Sequence, residues 1–274
     1  MSNIKLIALD MDDTLLNTDK ELSERNYQAL KKAAEKGVYI VPATGRLYDA
    51  IPDPVRNLDF IKYAITVNGC SIYDVEKAEY LCNVAMDIEE AYKVMDYLDT
   101  LPLIYDCYID GTGFMTESMF YDAENYVPEP FLTLVKKFRQ PVPVLKDFIR
   151  EHKRPVQKIQ MFIPKPGDIK VIFADLKEKF PNNQITSSLK NNIELCHEKA
   201  DKGYTLLKLA EMLGIKPEET MAFGDGGNDV GMISKSGFGV AMENGLPELK
   251  AVAKYVTDTC NNDGVAKAIE KFVL

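Results

Sequence analysis

Residues 4–9, Ile-Lys-Leu-Ile-Ala-Leu, form an apolar run that ends abruptly in Asp10-Met11-Asp12-Asp13. A short run bounded by acid in this way reads as a strand buried on both faces, the kind found where helices cover both sides of a parallel sheet. The next residues keep to that pattern. Ser23 is placed as an N-cap, with Leu22 and Tyr27 spaced for a hydrophobic staple. The helix runs to about Lys36, where Gly37 supplies the stop. A second apolar run, Val38 to Ala43, leads into Thr44-Gly45-Arg46. Strand, helix and strand with short connections make a βαβ unit and imply a parallel sheet. The last quarter repeats this order. Asp201 opens a helix with Leu206, Leu209, Ala210 and Leu213 apolar, and a strand from Thr220 to Phe223 enters the loop Gly224-Asp225-Gly226-Gly227-Asn228-Asp229.

The middle of the chain differs. Asp87 and Glu90 form a capping box ahead of Ala91, Val94, Met95 and Leu98, which share one helical face. Leu103 to Ile109 reads as a strand, with Asp110-Gly111 as a hairpin turn into Phe114. Ile159, Met161 and Ile163 alternate, and Ile185–Ser188 with Ile193–Cys196 reads as a hairpin around Lys190-Asn191-Asn192. One-sided strands with hairpins point to an antiparallel α+β domain. The expected fold class is therefore α/β. A parallel core of residues 1–84 and 191–274 is interrupted by an inserted α+β domain at 85–190. The Pro-rich segment 122–157 yields no assignable structure.

Charge and composition narrow the function. The net charge of −9 argues against a nucleic-acid partner and against adsorption to anionic membranes. Acid by Asp10 comes too early for a signal peptide, and no apolar run approaches the ~18 residues of a membrane span. Five scattered cysteines with no CxxC spacing read as reduced packing residues of a cytoplasmic protein. The two histidines, His152 and His197, are too far apart to suggest zinc or a histidine triad. Oligomeric state leaves no readable signal.

The chemistry sits at the ends of the expected strands, outside whose carboxyl ends open α/β sheets bind ligands. Asp10 and Asp12 present two carboxylates there. Carboxylates that close repel unless a cation lies between them or one is protonated. That leaves room for a nucleophile sharing Mg²⁺ and for a general acid/base. The Thr44 hydroxyl and Gly45 amide suit phosphate oxygens, with glycine permitting close approach. Lys202 stands in the first turn of a helix, where the macrodipole disfavours a cation, so a functional reason for it gains weight. Asp225 and Asp229 add two carboxylates in a Gly-rich loop suited to a divalent metal. Neither a Walker A pattern nor GxGxxG after the first strand is present, so ATP or NAD binding through them is unsupported.

Taken in order, these stretches resemble the haloacid dehalogenase superfamily, in particular its Cof-like class IIB phosphatases. DMDDTLL, ATGR, DKG with Lys202, and GDGGNDVGMI match the four family motifs, with VNGCSIYD (67–74), GFGVAMENG (237–245) and NNDGVAKAIEKF (261–272) as further family-like stretches. The resemblance covers both core segments and is weak across the middle. It implies a Rossmann-like core with an inserted α+β cap. It also implies Mg²⁺-dependent hydrolysis of a small-molecule phosphate ester, most naturally a sugar phosphate, through an aspartyl-phosphate. Asp10 would be the nucleophile and Asp12 the acid/base. The metal would be held by the Asp10 and Asp225 carboxylates and the Asp12 carbonyl, with Asp229 supporting it. Thr44, Gly45, Lys202 and Asn228 would hold the phosphoryl group, with Arg46 beside them at the substrate. One departure is Asp13, where many relatives have glycine. The alternatives left open are a sugar phosphomutase, a phosphate-receiving switch and a metabolite-binding protein.

Overall fold

The computed structural model describes residues 3–129, 131–164, 168–187 and 191–274. It divides into two compact units, one of residues 1–82 and 201–274, the other of residues 83–200.

The first unit is built on a five-stranded sheet whose order is Tyr255–Val256, Phe238–Ala241, Thr220–Gly224, Leu6–Leu9, Tyr39–Pro42. Every pairing in it is parallel. Leu6–Leu9 lies inside the sheet and is wholly buried, which is why its sequence carries no polar alternation. The chain leaves Leu6–Leu9 toward Tyr39–Pro42 on one side and later returns to Thr220–Gly224 on the other. The strand order therefore reverses between these two neighbours, and such a switch point opens a crevice at the carboxyl ends. The crevice is fixed by the helices on either side. Ser23 caps Glu24–Glu35 by accepting from the Asn26 amide (3.1 Å). Leu30 of that helix shares one core with Ile7, Leu9, Phe223, Val265 and Ile269. A small sheet of Tyr63–Thr66, Ser71–Asp74 and Glu79–Asn83 follows in the chain, its first two strands antiparallel.

The second unit has a six-stranded sheet in the order Asn183–Thr186, Asn192–His197, Lys158–Phe162, Ile104–Ile109, Thr112–Thr116, Arg139–Val142. Pairing is antiparallel except at Arg139–Val142, a parallel edge strand. The alternation read at 159–163 is realised: Ile159, Met161 and Ile163 join Tyr105, Cys107, Ile193 and Leu195 in one core. Asp110 and Gly111 both have positive φ, as a tight hairpin turn requires.

The boundaries lie at 82/83 and 200/201, where 84/85 and 190/191 were expected. The second shift has a direct cause. Asn192–His197 pairs with strands of the inserted unit on both sides, so the chain returns to the first unit only at Asp201. Lys190, at the expected boundary and turn, lies outside the described residues. The Pro-rich segment resolves into a helix (Phe131–Phe138), the edge strand and a second helix (Leu145–His152).

The strand residues that alternate with this core carry buried charge. Arg139 donates from Nε to Asp106 (2.8 Å), and Lys158 donates from Nζ to Glu194 (2.9 Å). Burial pushes the Asp106 carboxyl up, and Arg139 pulls only partly against it. Truncating one partner of such a pair leaves the other charged and dry. Arg139→Ala is therefore expected to destabilise the protein by about 3–5 kcal/mol, read by denaturant unfolding. A loss below about 1 kcal/mol would mean that Asp106 finds water or another donor.

Candidate active site

Asp10 follows Leu6–Leu9 directly, and its amide donates to the Phe223 carbonyl of the neighbouring strand (3.0 Å). Asp225 follows Thr220–Gly224 in the same way. The two acids thus stand side by side across the switch point.

Lys202 joins them. Asp201 caps the helix Lys202–Met212 by accepting from the Tyr204 amide (2.7 Å), which sets Lys202 in the first turn. Its side chain is fully buried, with Nζ 2.6 Å from Asp10 Oδ1 and 2.7 Å from Asp229 Oδ1. The two carboxylates outweigh the burial of the ammonium and hold Lys202 firmly protonated, above its ordinary range. One lysine does not neutralise three acids. Burial, reinforced by Asp229, pushes the Asp10 carboxyl well above the usual carboxylate range. Burial likewise raises Asp225 to about 6, even though the Thr14 hydroxyl donates to its Oδ1 (2.7 Å).

Asp10, Asp225 and Asp229 offer carboxylate oxygens within 4.8 Å of one another. An excess of clustered carboxylate oxygen is the donor set that hard divalent cations take. Asp229 is the most committed of the three: Oδ1 accepts from Lys202, and Oδ2 accepts from the amides of Asp225 (3.1 Å) and Gly226 (2.9 Å). It shapes its own loop as well as adding charge.

Asp12 is placed differently. Arg46 grips it in a two-pronged contact, Nε to Oδ2 and Nη2 to Oδ1, both 2.9 Å. Burial pushes the Asp12 carboxyl up, but Arg46 and Lys20 outweigh it and hold the group below its ordinary range. Arg46 thus lies on Asp12 in this structure, beside the segment that holds Thr44. The Thr44 hydroxyl accepts from the Arg46 amide (3.2 Å), and the Thr44 amide donates to the Ile65 carbonyl (2.9 Å). Asn228 donates from Nδ2 to Asn68 Oδ1 (3.2 Å). Asp13 has φ of 62°, the left-handed region that glycine enters freely and aspartate tolerates.

The structure therefore brings Asp10, Lys202, Asp225 and Asp229 into one cluster. Asp12 with Arg46 adjoins it in sequence, and Thr44, Gly45 and Asn228 meet through Asn68. Sequence reading gave no role to Thr14 or Asn68. Thr14 stands within the DMDDTLL stretch, so its pattern is visible in the sequence but its partner, 211 residues away, is not.

The sequence model of the haloacid dehalogenase-like hydrolases matches residues 7–269. The chain belongs to the haloacid dehalogenase-like hydrolases. Among relatives of this family, a putative phosphatase of Bacillus subtilis, YxeH, is 33% identical, with 98% of each chain covered. The 5-amino-6-(5-phospho-D-ribitylamino)uracil phosphatase YcsE of the same organism is also 33% identical, over 99% of this chain and 97% of its own. A haloacid dehalogenase-like hydrolase of Bacteroides thetaiotaomicron superposes with a TM-score of 0.81 at 29% identity, covering 98% and 99% of the two chains. The subclass IIB sugar phosphatase BT4131 shares the fold at a TM-score of 0.81 and 24% identity, with 98% of each chain covered. The haloacid dehalogenase core is thus the parallel sheet described above, joined in one chain to an inserted α+β unit, and the protein is an enzyme of the phosphatase type. Among the described residues, no helix is long and apolar enough to cross a membrane.

Proposed function

We propose that the protein hydrolyses a small phosphorylated sugar or polyol with Mg²⁺, through an aspartyl-phosphate on Asp10. The observation that carries this reading is the Asp10–Lys202–Asp229 arrangement at the switch point, with a second acid, Asp12, two residues from the first. A buried carboxylate aimed by a fixed lysine suits a nucleophile, and the second acid suits proton transfer. The names of the ribitylamino-uracil phosphatases and of the sugar phosphatase support the substrate class.

In the first half-reaction an Asp10 oxygen attacks phosphorus, and the bond to the ester oxygen breaks. The leaving alkoxide takes a proton from Asp12. In the second, water attacks the same phosphorus and gives Asp12 its proton. The phosphorus–Asp10 bond then breaks, which restores the carboxylate and frees orthophosphate. Lys202, the Thr44 hydroxyl, the Gly45 amide and Asn228 hold phosphoryl oxygens whose charge develops in transfer. Arg46 keeps Asp12 ionised, the form that takes a proton from water. Protonating the alcohol in the first half requires Arg46 to release it.

The Asp10 and Asp225 carboxylates and the Asp12 carbonyl would hold Mg²⁺, with Asp229 supporting them. When bound, the ion offsets the charge of the carboxylates and of the phosphoryl group. A cytoplasmic location fits five free, buried cysteines.

Phosphate release from a panel of sugar, polyol and nucleoside monophosphates, with Mg²⁺ and with EDTA, tests the reading. Release from sugar or polyol esters that stops in EDTA is expected. Isomerisation of a sugar phosphate without free orthophosphate would identify a mutase instead.

A further inference from the structure

The turn Val67-Asn68-Gly69 adopts a backbone that its sequence resists. All three residues have positive φ: 53°, 56° and 92°. Asparagine tolerates that region and glycine is at ease in it, but for a β-branched valine it is a true outlier. Such a conformation persists only where its surroundings over-determine it, and it tends to mark a functional site.

The surroundings here are three segments of the catalytic cluster. The Val67 amide donates to the Arg46 carbonyl (3.0 Å) and the Asn68 amide to the Thr44 carbonyl (3.0 Å), so the turn brackets Gly45. The Asn68 carboxamide lies over Gly45: a Cβ on Gly45 would stand 2.6 Å from Asn68 Oδ1. That same oxygen accepts from Asn228 Nδ2 (3.2 Å). Gly69 presses on the start of the lysine's helix. A Cβ on Gly69 would meet the Asp201 carbonyl carbon at 2.6 Å and the Lys202 nitrogen at 2.7 Å. The Gly69 carbonyl also accepts from Thr205 Oγ1 (2.6 Å). One left-handed turn therefore touches the segments that carry Gly45, Lys202 and Asn228, which the sequence places more than 180 residues apart at the extremes.

We infer that Asn68 is a positioning residue for the phosphoryl pocket. Its side-chain oxygen aims the Asn228 carboxamide. Its turn keeps the Gly45 amide and the first turn of the Lys202 helix at a fixed separation, so that the three donors converge on one phosphoryl group. This role rests on the hydrolytic reading above, since it assigns Gly45, Lys202 and Asn228 to the phosphoryl group.

The test is a double-mutant cycle on Asn68→Gly and Asn228→Ala. Glycine keeps the left-handed backbone accessible and removes only the carboxamide. KM for the best ester of the panel is measured alongside the affinity for inorganic phosphate, followed calorimetrically in Mg²⁺. Each single variant is expected to weaken phosphate binding and raise KM by about 5–20-fold, the effect of one lost hydrogen bond near a charged group. The double variant is expected to be no worse than the weaker-binding single one, because paired residues act as a unit. Multiplying effects, or a drop in unfolding temperature at unchanged phosphate affinity, would overturn the positioning role. The calorimetric arm needs no turnover. A coupled phosphate site in an inactive wild type would fault the hydrolytic reading alone; independent effects in an active wild type would fault the positioning role alone.

Discussion

Asp10→Asn is expected to lose at least about four orders of magnitude in phosphate release and yet to unfold at a higher temperature than wild type in metal-free buffer. The two effects have one cause. Burial first, and Asp229 next, raise the Asp10 carboxyl above its ordinary range, and Lys202 compensates only in part. A carboxyl whose native pKa exceeds its unfolded value holds its proton more tightly when folded. The native state therefore loses stability as pH rises through that interval. At neutral pH the wild type carries this penalty and a neutral isostere does not. Below the unfolded pKa, where the wild-type carboxyl is protonated in both states, the difference vanishes. Unfolding curves in EDTA at pH 7 and at successively lower pH, beside phosphate-release assays, check both halves. An active Asp10→Asn would remove the nucleophile, and an Asn variant less stable than wild type at pH 7 would mean that the Lys202 contact outweighs burial. Losing function while gaining stability is a recurrent behaviour of active-site residues.

Lys202→Met carries the second large effect, and its sign is opposite. Lys202 is the shared partner of Asp10 and Asp229 inside the fold. Removing it leaves two buried carboxylates facing each other, and breaking a buried ion pair from one side costs about 3–5 kcal/mol. For a chain of this size that is a fall in melting temperature of about 6–20 °C. Activity is expected to disappear with it. The deficit should shrink as pH falls, because Asp10, with its raised pKa, takes up a proton and ends the repulsion. An unchanged melting temperature at pH 7 would contradict the charge distribution described for the cluster.

Much of this is legible in the sequence. The buried strand announced itself in Ile4–Leu9, and the helix starts at Ser23, Asp87 and Asp201 each accept the amide that their spacing predicts. Local patterns of this kind survive because capping and alternation depend on a few neighbouring residues. What escaped was long-range or conformational. The edge strand Arg139–Val142 contains Pro141, which a central strand excludes and an edge strand admits, so composition argued against a strand that position allows. Asn192–His197 belongs with the second unit because pairing partners, not composition, decide which unit owns a strand. Among the site residues, Arg46 was placed beside the phosphate anchor but its grip on Asp12, 34 residues back, needs the fold to be seen. Asn68 lay in a family-like stretch with no chemistry attached. Its contacts with Gly45 and Asn228 exist only because three consecutive residues take left-handed backbone.

In the proposed mechanism a phosphoryl group passes through Asp10. The most direct measurement is to acid-quench single turnovers of a ³²P-labelled sugar phosphate in Mg²⁺, map the label by peptide in one portion, and reduce a second portion with borohydride, which expels the phosphate, to map the reduction product. The expected result is label on the peptide containing Asp10 before reduction, loss of that label with conversion of Asp10 to homoserine after it, and none of these in Asp10→Asn. Full-rate phosphate release by Asp10→Asn, or label mapped to another residue, would contradict it.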